Sequence, residues 1–267
     1  MSLIQDIRNA VVEQGELAVC WLGQAGFVVK SSMGKMLTID PYLTDCGWKI
    51  RGFKRISALL VDPAEFSPDY YIATHIHFDH FDYDAIPVVA ERSPKTQFWG
   101  PSSCMKELEK LNIPEKRCHH LDWEESWSDN TVSIRAIKAD HGTMAPDAIG
   151  VLLQMEGHRL YFSGDTAFRE DLFREAAKYL PDAAFMSVNG EFGNLTGEEG
   201  ARAAELCKAK NATACHCWTF MEHRGDPVQF YRTLEQVAPK CCGVRFRQGE
   251  IMILGRDNVF RERSMPE

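Results

Sequence analysis

The chain has 267 residues, 45% hydrophobic and 25% charged, which suits one large globular domain or two small ones. Thirty basic against thirty-eight acidic residues leave a net charge of −8, which argues against nucleic acid as a general partner while allowing a local basic patch for a small anion. No apolar run reaches the roughly eighteen residues of a membrane span, the opening "MSLIQDIRNAVVEQGELAV" lacks a secretory h-region, and nine cysteines form no regular framework, so a cytoplasmic chain with reduced thiols is expected.

Leu3, Ile4, Ile7 and Val11 fit one face of a short amphipathic helix. Strand-like runs follow in "LAVCWLG", "GFVVKS" and "KMLTID", with Gly34 at a hairpin turn between the last two. "YYIAT" comes next, then a helix in "DYDAIPVVAERS" broken or opened by Pro87, a strand "TQFWG", and a helix "SSCMKELEKLN" starting at a serine cap. The middle holds strands "TVSIRAIKA", "AIGVLLQME" and "RLYFSGD", the last two joined by a hairpin turn at "EGHR". Helices "EDLFREAAKYL", "GEEGARAAELCKAK" and "PVQFYRTLEQV" then alternate with strands "AAFMSV" and "ATACHC", and short strands "GVRFR" and "EIMIL" close the chain. No repeat or linker divides it. Two similar halves in series, antiparallel sheets covered by helices, suggest an α/β fold, a four-layer αββα sandwich, as one domain over 1–267.

After "YYIAT" the chain reads "THIHFDH", crowding His75, His77, Asp79 and His80 into six positions. Three imidazoles together repel if protonated, and a bound cation offsets that. A strand running into a loop delivers side chains to a sheet rim. His75 and His77 share a face in extended chain, and Asp79 and His80 can point elsewhere, so one loop offers two pairs of donors. Four donors cannot serve two ions, because each ion needs three or four. The other candidates end strands too: His141 in "KADHGT", Asp165 in "YFSGDTA" and His216 in "TACHCWTF".

"THIHFDH", "DHG", "SGD" and the late His216 resemble the metallo-β-lactamase superfamily, whose fold is the sandwich inferred above. The resemblance implies one ion on His75, His77 and His141, a second on Asp79, His80 and His216, and Asp165 bridging both. "WLGQAGFVVK", "IDPYLTD", "GFKR", "VNGEFGNLTGEEGARAAELCKAKNA" and "CHCWTF" further resemble the L-ascorbate-6-phosphate lactonase group. That implies a metal-dependent hydrolase acting on a small anionic lactone; cleavage of small or cyclic phosphodiesters is the alternative. Two zinc or manganese ions are expected, with iron admissible. Asp79 is both a proposed ligand and a candidate proton acceptor, and no serine nucleophile is needed. Homo-oligomers are common in this branch.

Lys49, Arg51, Lys54 and Arg55 form either a solvated basic loop or an anion clamp, with Arg55 the preferred clamp residue. His223, Arg224 and Asn194 are further substrate-side candidates, each with a surface or turn role as its alternative. Asp40, ending "KMLTID", is read as an acceptor that orients a ligand histidine, or as a turn aspartate. Cys215 and Cys217 should be buried small hydrophobes, and His119, His120 and His158 surface residues.

Overall fold

The structure is a computed structural model and describes residues 2–263. In chain order its first elements are α1 (Leu3–Asn9), β1 (Leu17–Gly23), β2 (Gly26–Ser31), β3 (Met36–Ile39), α2 (Cys46–Arg51), β4 (Tyr70–Ile72), α3 (Ala85–Arg92) and β5 (Gln97–Gly100). There follow α4 (Ser102–Lys110), β6 (Cys118–His120), β7 (Ser126–Ser128), β8 (Val132–Lys138), β9 (Ile149–Met155) and β10 (His158–Phe162). The last are α5 (Glu170–Ala177), β11 (Ala183–Ser187), α6 (Gly197–Leu206), β12 (Asn211–Cys215), α7 (Pro227–Val237), β13 (Cys242–Gly243), β14 (Ile251–Leu254) and β15 (Phe260–Glu262).

One eight-stranded sheet has the order β15-β14-β1-β2-β3-β4-β5-β6, and a seven-stranded sheet the order β13-β12-β11-β10-β9-β8-β7. Strand alternation sorts side chains into layers. Along β1, Leu17, Val19 and Trp21 enter the core between the sheets, while Ala18, Cys20 and Leu22 join Ile4, Ile7, Ile86, Val89 and Leu108 of the helices outside. Ile149, Val151, Leu153 and Met155 of β9 meet them from the second sheet, and Leu152 points outward to the layer containing Phe173, Ala204 and Phe230. The expected α/β/β/α layering is therefore present.

Neither sheet is antiparallel throughout. The hairpins β1–β2, β2–β3, β8–β9 and β9–β10 are antiparallel, but β3 through β6 and β10 through β13 run parallel. Helices or long crossovers intervene between successive parallel strands, and a parallel pair needs such a connection. This mixture places the site. Parallel β3 and β4 end on one rim, and β2, antiparallel to β3, begins there. Across the core β10, β11 and β12 end together, and β8 runs with β10 because both oppose β9.

Smaller expectations fail for local reasons. Of "GVRFR" only Gly243 pairs, with Ala212, while Val244 and Phe246 fold into the inter-sheet core. β6, β7 and β15 are three-residue edge strands with weak burial patterns. α2 sits inside the stretch read as a basic loop. No serine caps α4: Pro101 holds the cap position, and Asp122 and Asp147 accept from the backbone N–H groups of Ser102 and Ser103. His158 is 4% exposed rather than at the surface, because it pairs as the first residue of β10 and the 15–16 turn covers it through the Gly15 carbonyl at 3.0 Å. His119 is half-buried, stacked on Trp99 at 4.5 Å; His120 is exposed. Cys215 and Cys217 are buried in the inter-sheet core.

Phe185 lies at the centre of that core, 1% exposed, stacked on Phe162 at 4.5 Å and tilted against Phe27 at 4.6 Å. Phe185→Ala is expected to cost about 3–5 kcal/mol in urea unfolding; a loss below about 1 kcal/mol would contradict this packing.

Candidate metal centre

The rim where β3, β4, β8, β10 and β12 end collects every proposed donor. His75 follows β4 by way of Ala73 and Thr74, His141 follows β8, Asp165 follows β10 and His216 follows β12. Two groups result: His75, His77, His141 and Asp165, and beside them Asp79, His80 and His216, with the donor atoms of each group within 4.8 Å of one another. The His75 and His80 rings are 4.1 Å apart, so the groups adjoin.

In the first group His77 Nδ1 lies 2.9 Å from His75 Nε2 and 3.2 Å from His141 Nε2. Two nitrogens on a tetrahedral ion stand about 3.3 Å apart, given metal–nitrogen bonds near 2.05 Å. In the second, His80 Nε2 and His216 Nε2 are 2.9 Å apart, and Asp79 Oδ2 is 3.2 Å from His216 Nε2. Asp165 is divided between them. Its Oδ2 is 3.7 Å from His141 Nε2, while Oδ1 is 3.2 Å from His80 Nε2 and 3.4 Å from His216 Nε2. Oδ1 is buried and has no aligned hydrogen bond, although it lies at ion-pair distance from both of those ring nitrogens. A buried carboxylate oxygen left in that condition is costly, and a shared cation would satisfy it.

Protonation supports the fit for the histidines of the first group and for both carboxylates. Burial pushes His75, His77 and His141 below the ordinary histidine value, and in His75 the charges of His80 and His77 add to it. Neutral imidazole is the ligating form. Burial also opposes charge on Asp79 and Asp165, but His80 and the bond from His216 hold Asp79 below the carboxylate range, and His216 and His80 do so for Asp165. His80 moves the other way: burial disfavours its charge, yet Asp165, Asp40 and Asp79 outweigh that and raise it well above 6.5.

Asp40 stands behind this group. Its Oδ2 accepts from His80 Nδ1 and from Thr74 Oγ1, each at 2.7 Å, and its Oδ1 accepts from the Thr74 backbone N–H at 2.7 Å. The first of these turns His80 Nε2 toward the centre. Asn194 donates to Asp165 Oδ2 at 2.6 Å, so it braces a proposed ligand.

Gln24 was not signalled by the sequence beyond its place in "WLGQAGFVVK". It is fully buried, and its Nε2 donates to Asp79 Oδ2 at 2.6 Å, with His216 Nε2 at 3.3 Å and His223 Nδ1 at 3.4 Å. Its backbone carbonyl accepts from the His216 backbone N–H at 2.8 Å and from Trp21 Nε1 at 2.9 Å. A buried amide carries no compositional signal; only the β1–β2 turn brings it to the rim.

Among the substrate-side candidates, His223 reaches the centre, stacked on His216 at 4.9 Å, and burial and the His216 charge push its pKa down to about 4. Arg55 does not serve as a clamp. Its side chain is 4% exposed; Nη2 donates to the Tyr42 and Thr44 carbonyls at 2.9 Å each, Nε to Asp45, and the guanidinium lies 3.9 Å over the Tyr42 ring. Those bonds tie down the 42–45 loop and leave the group enclosed. Arg224 is exposed and pairs with Glu191, and Lys49 pairs with Asp84. Ser163 is spent on the Gly164 carbonyl and the Ser187 N–H.

The family model described as the beta-lactamase superfamily domain matches residues 41–217, a span that contains all seven proposed donors. The chain belongs to the beta-lactamase superfamily. It is 27% identical over 198 residues to a UPF0173 metal-dependent hydrolase of Polynucleobacter asymbioticus, covering 67% of this chain and 66% of that one. It is also 27% identical over 233 residues to its Oenococcus oeni counterpart, covering 82% of this chain and 93% of that one. Among solved structures it is similar in fold to Igni18, a metallo hydrolase of Ignicoccus hospitalis, with TM-score 0.70 and 19% identity over 89% of this chain and 98% of that one. No described helix is long and apolar enough to cross a membrane.

These protonation states set a pH dependence for the metal-free protein. Below 6.5 the unfolded chain takes up protons that buried His75, His77, His141 and His223 refuse, so stability falls as pH drops from about 7 to 5. His80 opposes this only at the upper edge of the window: its contribution is complete below 6.5 and declines as pH rises from there through its raised folded value. Thermal unfolding with chelator present should show the falling midpoint, and His223→Gln should make the slope shallower by up to about 1.4 kcal/mol per pH unit. A flat profile would contradict the burial of neutral imidazoles.

Proposed function

We propose that this chain is a metal-dependent hydrolase holding two divalent ions, and that it opens a lactone or cleaves an ester. The observation that carries the reading is Asp165, whose two oxygens face two different groups of buried donors, Oδ1 standing at ion-pair distance from two ring nitrogens without an aligned hydrogen bond. The naming of its relatives as metal-dependent hydrolases supports the same class. His75, His77 and His141 would hold one ion, Asp79, His80 and His216 the other, and Asp165 both. Nitrogen-rich donors with added carboxylates suit zinc or manganese, and iron is compatible.

Such ions supply a water acidic enough to deprotonate near neutral pH and a Lewis acid for the carbonyl oxygen. The chain's own part is positional and acid–base. Gln24 Nε2, His80 and His216 all engage Asp79 through Oδ2, which leaves Oδ1 to accept a proton from the attacking water. Asp40 and Thr74 keep the His80 ring from turning, and Asn194 keeps Asp165 in its divided orientation. Water adds at the carbonyl carbon, the ring or ester C–O bond breaks, and a hydroxy acid or an acid–alcohol pair is released. Arg55 is enclosed by the 42–45 loop, so a phosphorylated lactone finds no seat on that cation.

The test is a panel of lactones, esters and phosphodiesters assayed with the zinc- and manganese-loaded protein. Lactone or ester turnover is expected; turnover of phosphodiesters alone would replace this reading with the phosphodiesterase alternative. His216→Ala should lose metal and hydrolysis together, and Gln24→Ala should lower kcat about 10–100-fold with most metal retained. Full activity and full metal content in His216→Ala would remove the ligand assignment.

A further inference from the structure

A closed circuit of rings adjoins the centre through His223. Phe53 lies 5.6 Å from Phe78, Phe78 lies 5.8 Å from Phe220, Phe220 lies 5.1 Å from His223, His223 lies 6.0 Å from Phe192, and Phe192 returns to Phe53 at 5.9 Å. Four separate segments bring them together: the stretch after α2, the histidine loop, the loop after β11 and the loop after β12. His223 joins the circuit to the centre through its stack on His216, and Phe78 stands between His77 and Asp79 in the chain.

Two features separate this cluster from ordinary core. Phe220 is buried, but Phe53, Phe78 and His223 are only partly so and Phe192 is 44% exposed. Phe192 also holds φ at 55°, a left-handed conformation that is uncommon and costly for a bulky residue. A chain gains little internal packing from a strained aromatic left nearly half in water. In addition α2 carries Gly47, where a Cβ would stand 2.4 Å from the Phe78 ring, so the helix approaches that ring as closely as a backbone can.

We propose that Phe53, Phe78, Phe192 and His223 form a recognition site for an uncharged aromatic or bulky apolar group attached to the scissile lactone or ester. This inference rests on the hydrolytic reading and deepens it. The three phenylalanine rings favour offset or edge-to-face contact with a neutral aromatic group and give nothing to a phosphate. The group would dock on the side of Asp79, His80 and His216, since His223 touches that set and Gln24. The enclosure of Arg55 agrees with an uncharged substituent.

The experiment compares γ-lactones bearing a phenyl, a methyl or a phosphomethyl substituent, in the wild-type protein and in Phe192→Ala. The phenyl lactone should have a KM about tenfold below that of the methyl lactone, and Phe192→Ala should erase the difference by raising the KM of the phenyl lactone. Phe53→Ala serves as the second variant. A separate readout needs no turnover: saturation-transfer NMR of the metal-free protein with phenylacetamide should show binding that Phe192→Ala removes, and none with glycerol 3-phosphate. Binding of the phosphate instead, or a phenyl preference that survives both substitutions, would overturn the proposal. Hydrolysis of all three lactones alike would overturn it too while leaving the hydrolase intact; no hydrolysis of any, with phenylacetamide bound as described, would remove lactone opening from the proposed function and keep the aromatic site. A drop in oligomer size in Phe192→Ala without change in KM would reassign the ring to a contact between copies.

Discussion

The constraint on which the structure turns is the crowding of charge-bearing side chains in a place water hardly reaches. His75, His80, His141, His216, Asp79 and Asp165 are all buried, and His77 nearly so. Burial of that many polar groups is unfavourable unless each finds a partner. The protein meets part of the demand internally, with His80 between Asp40 and the other carboxylates, Gln24 on Asp79 and Asn194 on Asp165. It leaves a remainder: Asp165 Oδ1 has ion-pair neighbours but no aligned hydrogen bond, and three ring nitrogens converge on one another in the first group. That remainder has the composition and spacing of a cation site.

The fold serves this arrangement through strand direction. A purely antiparallel meander would scatter successive loops between two rims. By passing from hairpins to parallel strands in each sheet, the chain returns β3, β4, β8, β10 and β12 to one rim, so each donor is a neighbour of a strand end. Local backbone energy is spent to finish the geometry. Asp40 and His216 have φ of 47° and 60°, in the left-handed region where both residue types are enriched but still disfavoured. Asp40 is held there by its N–H on the Ile72 carbonyl, and His216 by its N–H on the Gln24 carbonyl.

What could be read from the sequence followed from how local each signal was. "THIHFDH" concentrates its chemistry in a few positions, and strands such as "LAVCWLG" and "AIGVLLQME" carry enough apolar residues to mark both sheets. Gln24 and the Phe53–Phe192–His223 contacts were not legible, since an amide and scattered phenylalanines acquire meaning only when distant loops meet. Arg55 shows the opposite error: four cations in a short stretch suggested a clamp, but its donors close the 42–45 loop, a use that charge counting cannot distinguish. Edge strands such as β6 and β7 were missed because three half-exposed residues show no period, and His158 was misplaced because the chain covering it comes from the 15–16 turn, far off in sequence.

The account stands or falls on two ions sharing one carboxylate. The direct measurement is a calorimetric titration of the metal-free protein with zinc, in the wild type, in His141→Ala and in Asp165→Ala. Two equivalents should bind to the wild type, His141→Ala should weaken one step, and Asp165→Ala should weaken both. A single equivalent in the wild type, or an Asp165→Ala variant that binds two ions as tightly as before, would contradict it.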